Sequence, residues 1–340
     1  MTITKLAWRD LVPDTESYQE LFAQPDLTKE HKFILSETQP RLHYALEQMS
    51  SPWATSPFML LKAPEEAEYL TLLGDAMRQL QPKTNAVFGG QYHIAGRDVT
   101  FEPATQADGL FAAKGEVITA NWVEAEQLFG CLRQFNGDVS LQPGLVHRAN
   151  GGVLLISLRT LLAQPLLWMR LKTVVTQQRF DWVGFDESRP LPVSIPSMPL
   201  SLTVVLTGDR ESLADFQEME PELAEQAVYS EFEDNIQIAD ADDMAQWCQW
   251  VMAVAERFAL PSPSEDAWPG LIREAVRYTG DQETLPLCPL WIGKQLREVG
   301  VISGNGTFNG EQLCQMLAQR EWREGYLADR MQDEILLEQI

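Results

Sequence analysis

The sequence predicts an α/β fold, a parallel sheet flanked by helices with an all-helical region behind it. Three observations carry this. Residues 58–61 (FMLL), 153–156 (VLLI) and 202–207 (LTVVLT) are short apolar runs suited to strands buried on both faces. Amphipathic helical segments alternate with these runs, the pattern that builds a parallel sheet. From Met244 onward only helical periodicity remains.

In order, residues 1–35 read as a polar, Pro-punctuated lead-in around a short helix. Residues 36–49 read as a helix with Pro40 in its first turn and Leu42, Ala45 and Leu46 on one face. SSPWATSP (50–57) breaks it. The strand at 58–61 enters a helix that opens at 63–66 (APEE) and runs to Leu80. Residues 83–120, with Gly, Pro and short alternating runs, read as an inserted subdomain with some strand, and 121–134 as a helix. After the strand at 153–156 come helices at 157–164, ended by Pro165, and at 166–177. A strand at 179–183 and a Pro-rich passage at 190–199 precede the third core strand, which ends in Gly208-Asp209-Arg210. Helices follow at 244–258, 264–279, 287–299 and 309–338, the last with Asn309 and Gln312 at capping-box spacing. The expected organisation is a lead-in over 1–35, an α/β domain over 36–243 containing the 83–120 insertion, a helical lid over 244–308 and a terminal helix over 309–340.

The 340 residues carry a net charge of −23. Nucleic-acid binding draws on Lys and Arg to neutralise phosphates, so this balance argues against such a partner. Between Asp209 and Asp243 lie about a dozen carboxylates and one arginine. This block reads as a solvated helical face, or as a docking surface for a basic or partly unfolded protein. No apolar run approaches the roughly 20 residues that span a bilayer, and the N-terminus lacks a signal-peptide core. Cys131, Cys248, Cys288 and Cys314 are widely separated, which favours buried free thiols over a metal site. The cytoplasm fits this usage.

The most informative stretch is 141–169. Its Gly-Gly pair feeds the strand at 153–156, and a Leu-rich helix follows at once. This resembles the Walker B strands of P-loop ATPases, except that Ser157 stands where the metal-organising Asp is expected. Several further segments resemble Lon-type proteases, in particular the bacterial Lon-related branch with an atypical AAA+ module. They are TQPRLHYALE (38–47), EQLFGCLRQF (126–135), PGLVHRANGGVLLISLRTLLAQP (143–165), PLSLTVVLTGDRES (199–212), LIREAVRYTGDQETLPLCPLWIGKQLREV (271–299) and QREWREGYLADRMQDEI (319–335). The resemblance implies an AAA+-like sheet, a helical lid and an exit helix leading to a Ser–Lys protease domain. No Ser and Lys here are assigned to that dyad, so the expectation is no catalytic residue and no metal ligand. The chain stops within an apolar run at Ile340, which reads as a truncation.

The departures matter more than the agreements. An active relative carries a glycine-rich phosphate loop, in which backbone N–H groups converge on phosphate. The matching segment here, 60–70 (LLKAPEEAEYL), has no glycine. Lys62, Ala63, Pro64, Glu65 and Glu66 are remnants of the site, with Glu65, Glu66 and Glu68 placed to repel a nucleotide and Lys62 a solvated strand-end residue. Ser157 and Arg277 complete the remnants; Arg277, with Arg273, lies where a sensor arginine would reach phosphate, or pairs with Glu274. His147, Arg148, Asn150, Gly151 and Gly152 form a structural motif, the glycines allowing a tight turn at φ > 0. Asp209-Arg210 reads as a local ion pair, and Asp186-Glu187 carries no acid–base signal. No cofactor is expected, with ATP and Mg²⁺ entering only through a cryptic site.

The leading expectation is thus the regulatory, substrate-handling module of a Lon-like serine protease. Its partners would be protein substrates or unfolded polypeptides, and it would self-associate into a ring, without nucleic acid or membrane. A stand-alone binding or adaptor scaffold, and an ATP-dependent module with a cryptic site, are the alternatives.

Overall fold

The computed structural model describes residues 35–336 apart from 52, 83, 137 and 185–189, and leaves out the side chains of 328, 329 and 336. The short helix expected before residue 35 and the Asp186-Glu187 pair lie outside the described residues. Among the described residues two compact units are present, one over Gln39–Phe232 and one formed by residues 233–336 with residues 35–38.

The helix expected over 36–49 is two helices, α1 (Leu35–Thr38) and α2 (Pro40–Ser50). Proline excludes helical geometry from the residue before it, and Gln39 sits at φ −136°, ψ 58°. β1 (Phe58–Lys62) passes through the loop 63–66 into α3 (Ala67–Leu80), which starts one turn later than expected. β2 (Phe88–Ala95), β3 (Asp98–Pro103) and β4 (Phe111–Ala113) make a separate antiparallel sheet, order β3-β2-β4. β5 (Val117–Ala120), expected inside the insertion, instead joins the main sheet beside the strand at 153–157.

The helix expected over 121–134 is a correction. Only α4 (Ala125–Phe129) is helical, and β6 (Cys131–Phe135) and β7 (Asp138–Gln142) pair as an antiparallel hairpin. Gly130 ends α4 at φ +72°, where a Cβ would lie 2.1 Å from the Gln142 carbonyl oxygen. Asn136, at φ 51°, opens the turn between the two strands.

A one-turn α5 (Leu145–Arg148) leads to β8 (Val153–Ser157), α6 (Leu158–Ala163) and α7 (Pro165–Gln177). β9 (Arg179–Phe180) and β10 (Met198–Pro199) pair briefly before β11 (Thr203–Gly208). α8 (Arg210–Met219), α9 (Pro221–Gln226) and β12 (Val228–Glu231) close the unit. The main sheet is wholly parallel, in the order β12-β1-β11-β8-β5. The three strands expected from their apolar runs are its three central strands. Leu154, Leu155 and Ile156 are fully buried, each contributing about 1.5–3 kcal/mol relative to exposure. Trp168 of α7 packs between Phe58 (ring centroids 5.9 Å) and Phe216 (5.0 Å), joining one face of the sheet to its helices.

The second unit is mainly helical: α10 (Ala241–Arg257), α11 (Trp268–Thr279), α12 (Pro289–Ser303), α13 (Gly310–Glu324) and α14 (Tyr326–Leu336). The single helix expected over 309–338 is therefore two, parted at Gly325. The expected capping box forms, with Gln312 N–H donating to Asn309 Oδ1 (2.9 Å) and Asn309 N–H to Gln312 Oε1 (3.0 Å). Two short strand pairs, Asn235–Gln237 with Thr284–Pro286 and Ser262–Pro263 with Thr307–Phe308, brace the helices. Cys131 and Cys248 are buried as expected of apolar thiols, but Cys288 is half-buried and Cys314 exposed. Among the described residues no helix is long and apolar enough to cross a membrane.

Candidate functional site

In open parallel sheets ligands bind beyond the carboxyl ends of the strands, where adjacent strands send their connections in opposite directions. β1 connects toward β5 at one edge and β11 toward β12 at the other, so that crevice lies between β1 and β11. Its rim consists of Lys62 and the loop 63–66, Gly208 ending β11 with Asp209 after it, and Ser157 ending β8.

Glu65 turns into this crevice, its side chain only 3% exposed. Its Oε1 accepts from the Ser157 hydroxyl (2.7 Å) and from the Arg159 backbone N–H (2.8 Å). Its Oε2 lies 3.0 Å from Arg159 Nη2, an ion pair without hydrogen-bond alignment. Arg159 is the second residue of α6, so the carboxylate also satisfies an orphan donor at that helix's positive end. A hydroxyl, a backbone N–H and a guanidinium thus converge on one internal anion. The rest of the loop offers few donors: Ala63 N–H bonds the Gly208 carbonyl (3.1 Å), and Pro64 has no N–H. Glu66 is exposed and precedes α3, its carbonyl accepting from Leu70 N–H (3.1 Å). Of the acids expected to face this crevice together, Glu65 is thus directed inward and Glu66 outward.

Lys62 is not a free solvated side chain. Its Nζ is 2.6 Å from Glu231 Oε2 on β12, and Tyr229 donates to Glu231 Oε1 (2.8 Å). The hydrogen bonds from Lys62 and Tyr229 hold the Glu231 carboxyl below its usual range. Asp209 makes no pair with Arg210 as expected; it caps α8, accepting from Ser212 N–H (2.8 Å), which lowers its pKa. In the other unit Arg277 pairs with Glu274 (2.7 Å).

The motif from His147 to Gly152 precedes β8, at the opposite end of that strand from Ser157. Four strand residues, 153–156, separate Gly152 from Ser157, about 16 Å of rise. Asn150 clamps the entry to β11, donating to the Pro199 carbonyl (3.1 Å) and accepting from Ser201 N–H (2.9 Å). Gly151 lies at φ +79°, where a Cβ would stand only 2.1 Å from the Phe88 ring. Gly152 departs from expectation: its φ is ordinary, and what it needs is room, since a Cβ would stand 2.3 Å from the Glu116 carbonyl oxygen. His147 Nδ1 accepts from Gly144 N–H (3.0 Å), and its ring packs against Phe180 (4.2 Å), Phe111 (5.1 Å) and Trp182 (5.6 Å). Burial, with the nearby Arg170 charge, pushes its pKa down to about 3. Arg148 is exposed.

Residues 114–232 match a family model described as the LonB-like AAA domain. A curated Lon protease homologue of Escherichia coli (strain K12) is 66% identical over all 340 residues, which cover 58% of its length. A second, from Haemophilus influenzae, is 32% identical over 294 residues, covering 84% of this chain and 49% of the relative. The chain belongs to the Lon protease homologues. It spans about half the length of the curated relatives it matches. Among solved structures, NtrX from Brucella abortus covers 88% of this chain and 56% of its own at 11% identity and a TM-score of 0.46, too slight a likeness to carry any argument.

In this member of the Lon homologues the AAA-domain match takes in Ser157 and Arg159 but not the loop that supplies Glu65. Arg159 and Glu231 are the site residues that sequence reasoning misses. Nothing local marks either one, because each finds its partner far along the chain. Among the described residues no cluster of three or more His, Cys, Asp or Glu could hold a metal ion.

Proposed function

We propose that this chain is the regulatory, substrate-handling module of a Lon-like serine endopeptidase and that it works without nucleotide. The observation that carries the reading is the buried Glu65 carboxylate, which reaches from the loop after β1 to take up the donors at the carboxyl end of β8. The residues present do not fit a magnesium nucleotide. The loop has no glycine, Pro64 removes a donor, and Ser157 replaces the acid that would organise the metal. A phosphate charge brought within 4 Å of Glu65 meets about 4 kcal/mol of repulsion at an effective dielectric near 20. No reaction step is therefore routed through ATP.

The partners under this reading are unfolded or loosely folded polypeptides, because no motor supplies unfolding work. The whole protein would assemble into a ring in the cytoplasm and deliver these chains to its protease part. The test is phosphate release from Mg²⁺–ATP by the 340-residue chain, with and without unfolded casein. Release stays at the buffer rate in both. Turnover stimulated by casein would overturn the reading in favour of a cryptic ATP site.

A further inference from the structure

A cavity of about 380 Å³ opens in the first unit at the amino end of β1, the opposite end of that strand from Lys62 and the Glu65 crevice. Its volume falls in the range of small-ligand sites, roughly 300–1,000 Å³. Three pieces of chain build it. The segment 55–58 enters β1, α7 ends beside it with Val175 and Gln178, and α9 contributes Glu222, Leu223 and Gln226. Phe58, Val175 and Leu223 are buried and give the lining its apolar part. Thr55, Gln178, Glu222 and Gln226 are exposed, and among the described residues their side chains make no hydrogen bond or ion pair within the chain.

The charges in the lining select a cation. Lys172 is the only cation among the described residues that line the cavity, and its charge is taken. Its Nζ pairs with one carboxylate oxygen of Glu220, and the other oxygen accepts from Trp168 Nε1 (2.9 Å). Glu222 is the only acid among the described lining residues, and it is unpaired. Both α7 and α9 end in the lining, and the carbonyl end of a helix carries partial negative charge over its last turn. The Glu222 carboxylate and the amide oxygens of Gln178 and Gln226 are acceptors, which match the three donors of an ammonium group. We propose that this cavity binds an aliphatic ammonium ion, with its carbon chain against Phe58, Val175 and Leu223 and its charged end at Glu222. A lysine side chain uses the same division when it lays its stem on apolar surface and keeps its head among polar groups. The ion has two sources, a free alkylamine or the side chain of a lysine in a bound polypeptide. An anion gains nothing from the paired Lys172, and a wholly apolar ligand would strip water from Glu222 without replacing it.

The experiment is a titration of the 340-residue chain, followed by saturation-transfer NMR, with n-pentylammonium chloride, n-pentanol and Nα-acetyl-lysine methylamide. Pentylammonium is expected to bind saturably in the millimolar range, and pentanol about tenfold more weakly. Glu222→Gln changes only the charge of an exposed side chain, so it melts as the wild type does. It is expected to lose about fivefold in affinity for pentylammonium, the worth of one partly exposed ion pair. Glu225→Gln makes the same charge change on the same helix outside the cavity and is expected to bind as wild type does. Binding of the lysine amide as well assigns the site to lysine side chains, and binding of pentylammonium alone assigns it to free alkylamines; either upholds the proposal. Pentanol that binds as tightly as pentylammonium overturns the selection by charge. The site itself is overturned by a lack of saturable binding. It is equally overturned if Glu222→Gln binds as wild type does, or if Glu225→Gln loses as much as Glu222→Gln, because a net charge of −23 attracts any cation diffusely.

Discussion

Replacing Glu65 tests whether its carboxylate holds the crevice together. In Glu65→Ala the Ser157 hydroxyl and the Arg159 N–H lose their acceptor, and the Arg159 guanidinium loses its ion pair. Each hydrogen bond to a charged group contributes about 1.5–3 kcal/mol, and Ser157 is too buried for water to replace its partner readily. The Arg159 side chain is largely exposed and resolvates, so its ion pair adds little. The sum is about 3–6 kcal/mol for Ala. Glu65→Gln keeps a neutral acceptor for both donors and costs about 1–2 kcal/mol. Urea unfolding followed by tryptophan fluorescence reads both, through the transition of the unit over Gln39–Phe232. An Ala variant within about 0.5 kcal/mol of wild type, the size of an ordinary surface effect, would refute the clamp.

Three further outcomes follow from the geometry. His147 has a folded pKa of about 3 against roughly 6.5 when unfolded, so its contribution is fully present above pH 6.5 and is lost as pH falls toward 3. By pH 5 this amounts to about 2 kcal/mol, and His147→Phe should flatten that part of the stability profile in unfolding curves between pH 7 and 5; an unchanged slope counts against a buried neutral imidazole. Gly151→Val meets a positive φ and the Phe88 ring together, and should cost at least about 3 kcal/mol by thermal melting, whereas wild-type melting would mean the turn is misplaced. Lys62→Ala removes an exposed ion pair to Glu231 and should shift stability by no more than about 1 kcal/mol, with no effect on substrate binding; a large functional loss would revive nucleotide chemistry at this loop.

The sequence makes some features plain and conceals others for physical reasons. The central strands are legible because burial on both faces demands unbroken apolar runs, as at Leu154–Ile156. The edge strands β5 (VITA), mostly buried, and β12 (VYSE), half exposed, are four residues each, too short for any periodicity to single out. The β6–β7 hairpin hides behind an amphipathic-looking EQLFGCLRQF, although Asn136-Gly137 is a hairpin signal that outranks it. At the candidate site, the missing glycines and the Ser157 substitution are visible as residue types. The inward turn of Glu65 is not, because its partners Ser157 and Arg159 lie 92 and 94 residues away. Only the topology that sets β1 and β8 on either side of β11 brings them together. The His147–Gly152 motif reads as structural from its residues, and its place before the strand at 153–156 already sets it at the opposite end from Ser157.

The central claim, that an internal carboxylate stands in place of a nucleotide, is tested most directly by isothermal titration of the 340-residue chain with Mg²⁺–ATP and, in parallel, Mg²⁺–ADP. The account predicts no binding heat up to millimolar nucleotide. Saturable binding at micromolar concentration would contradict it, because phosphate would then be held by a glycine-free loop with Glu65 inside the crevice.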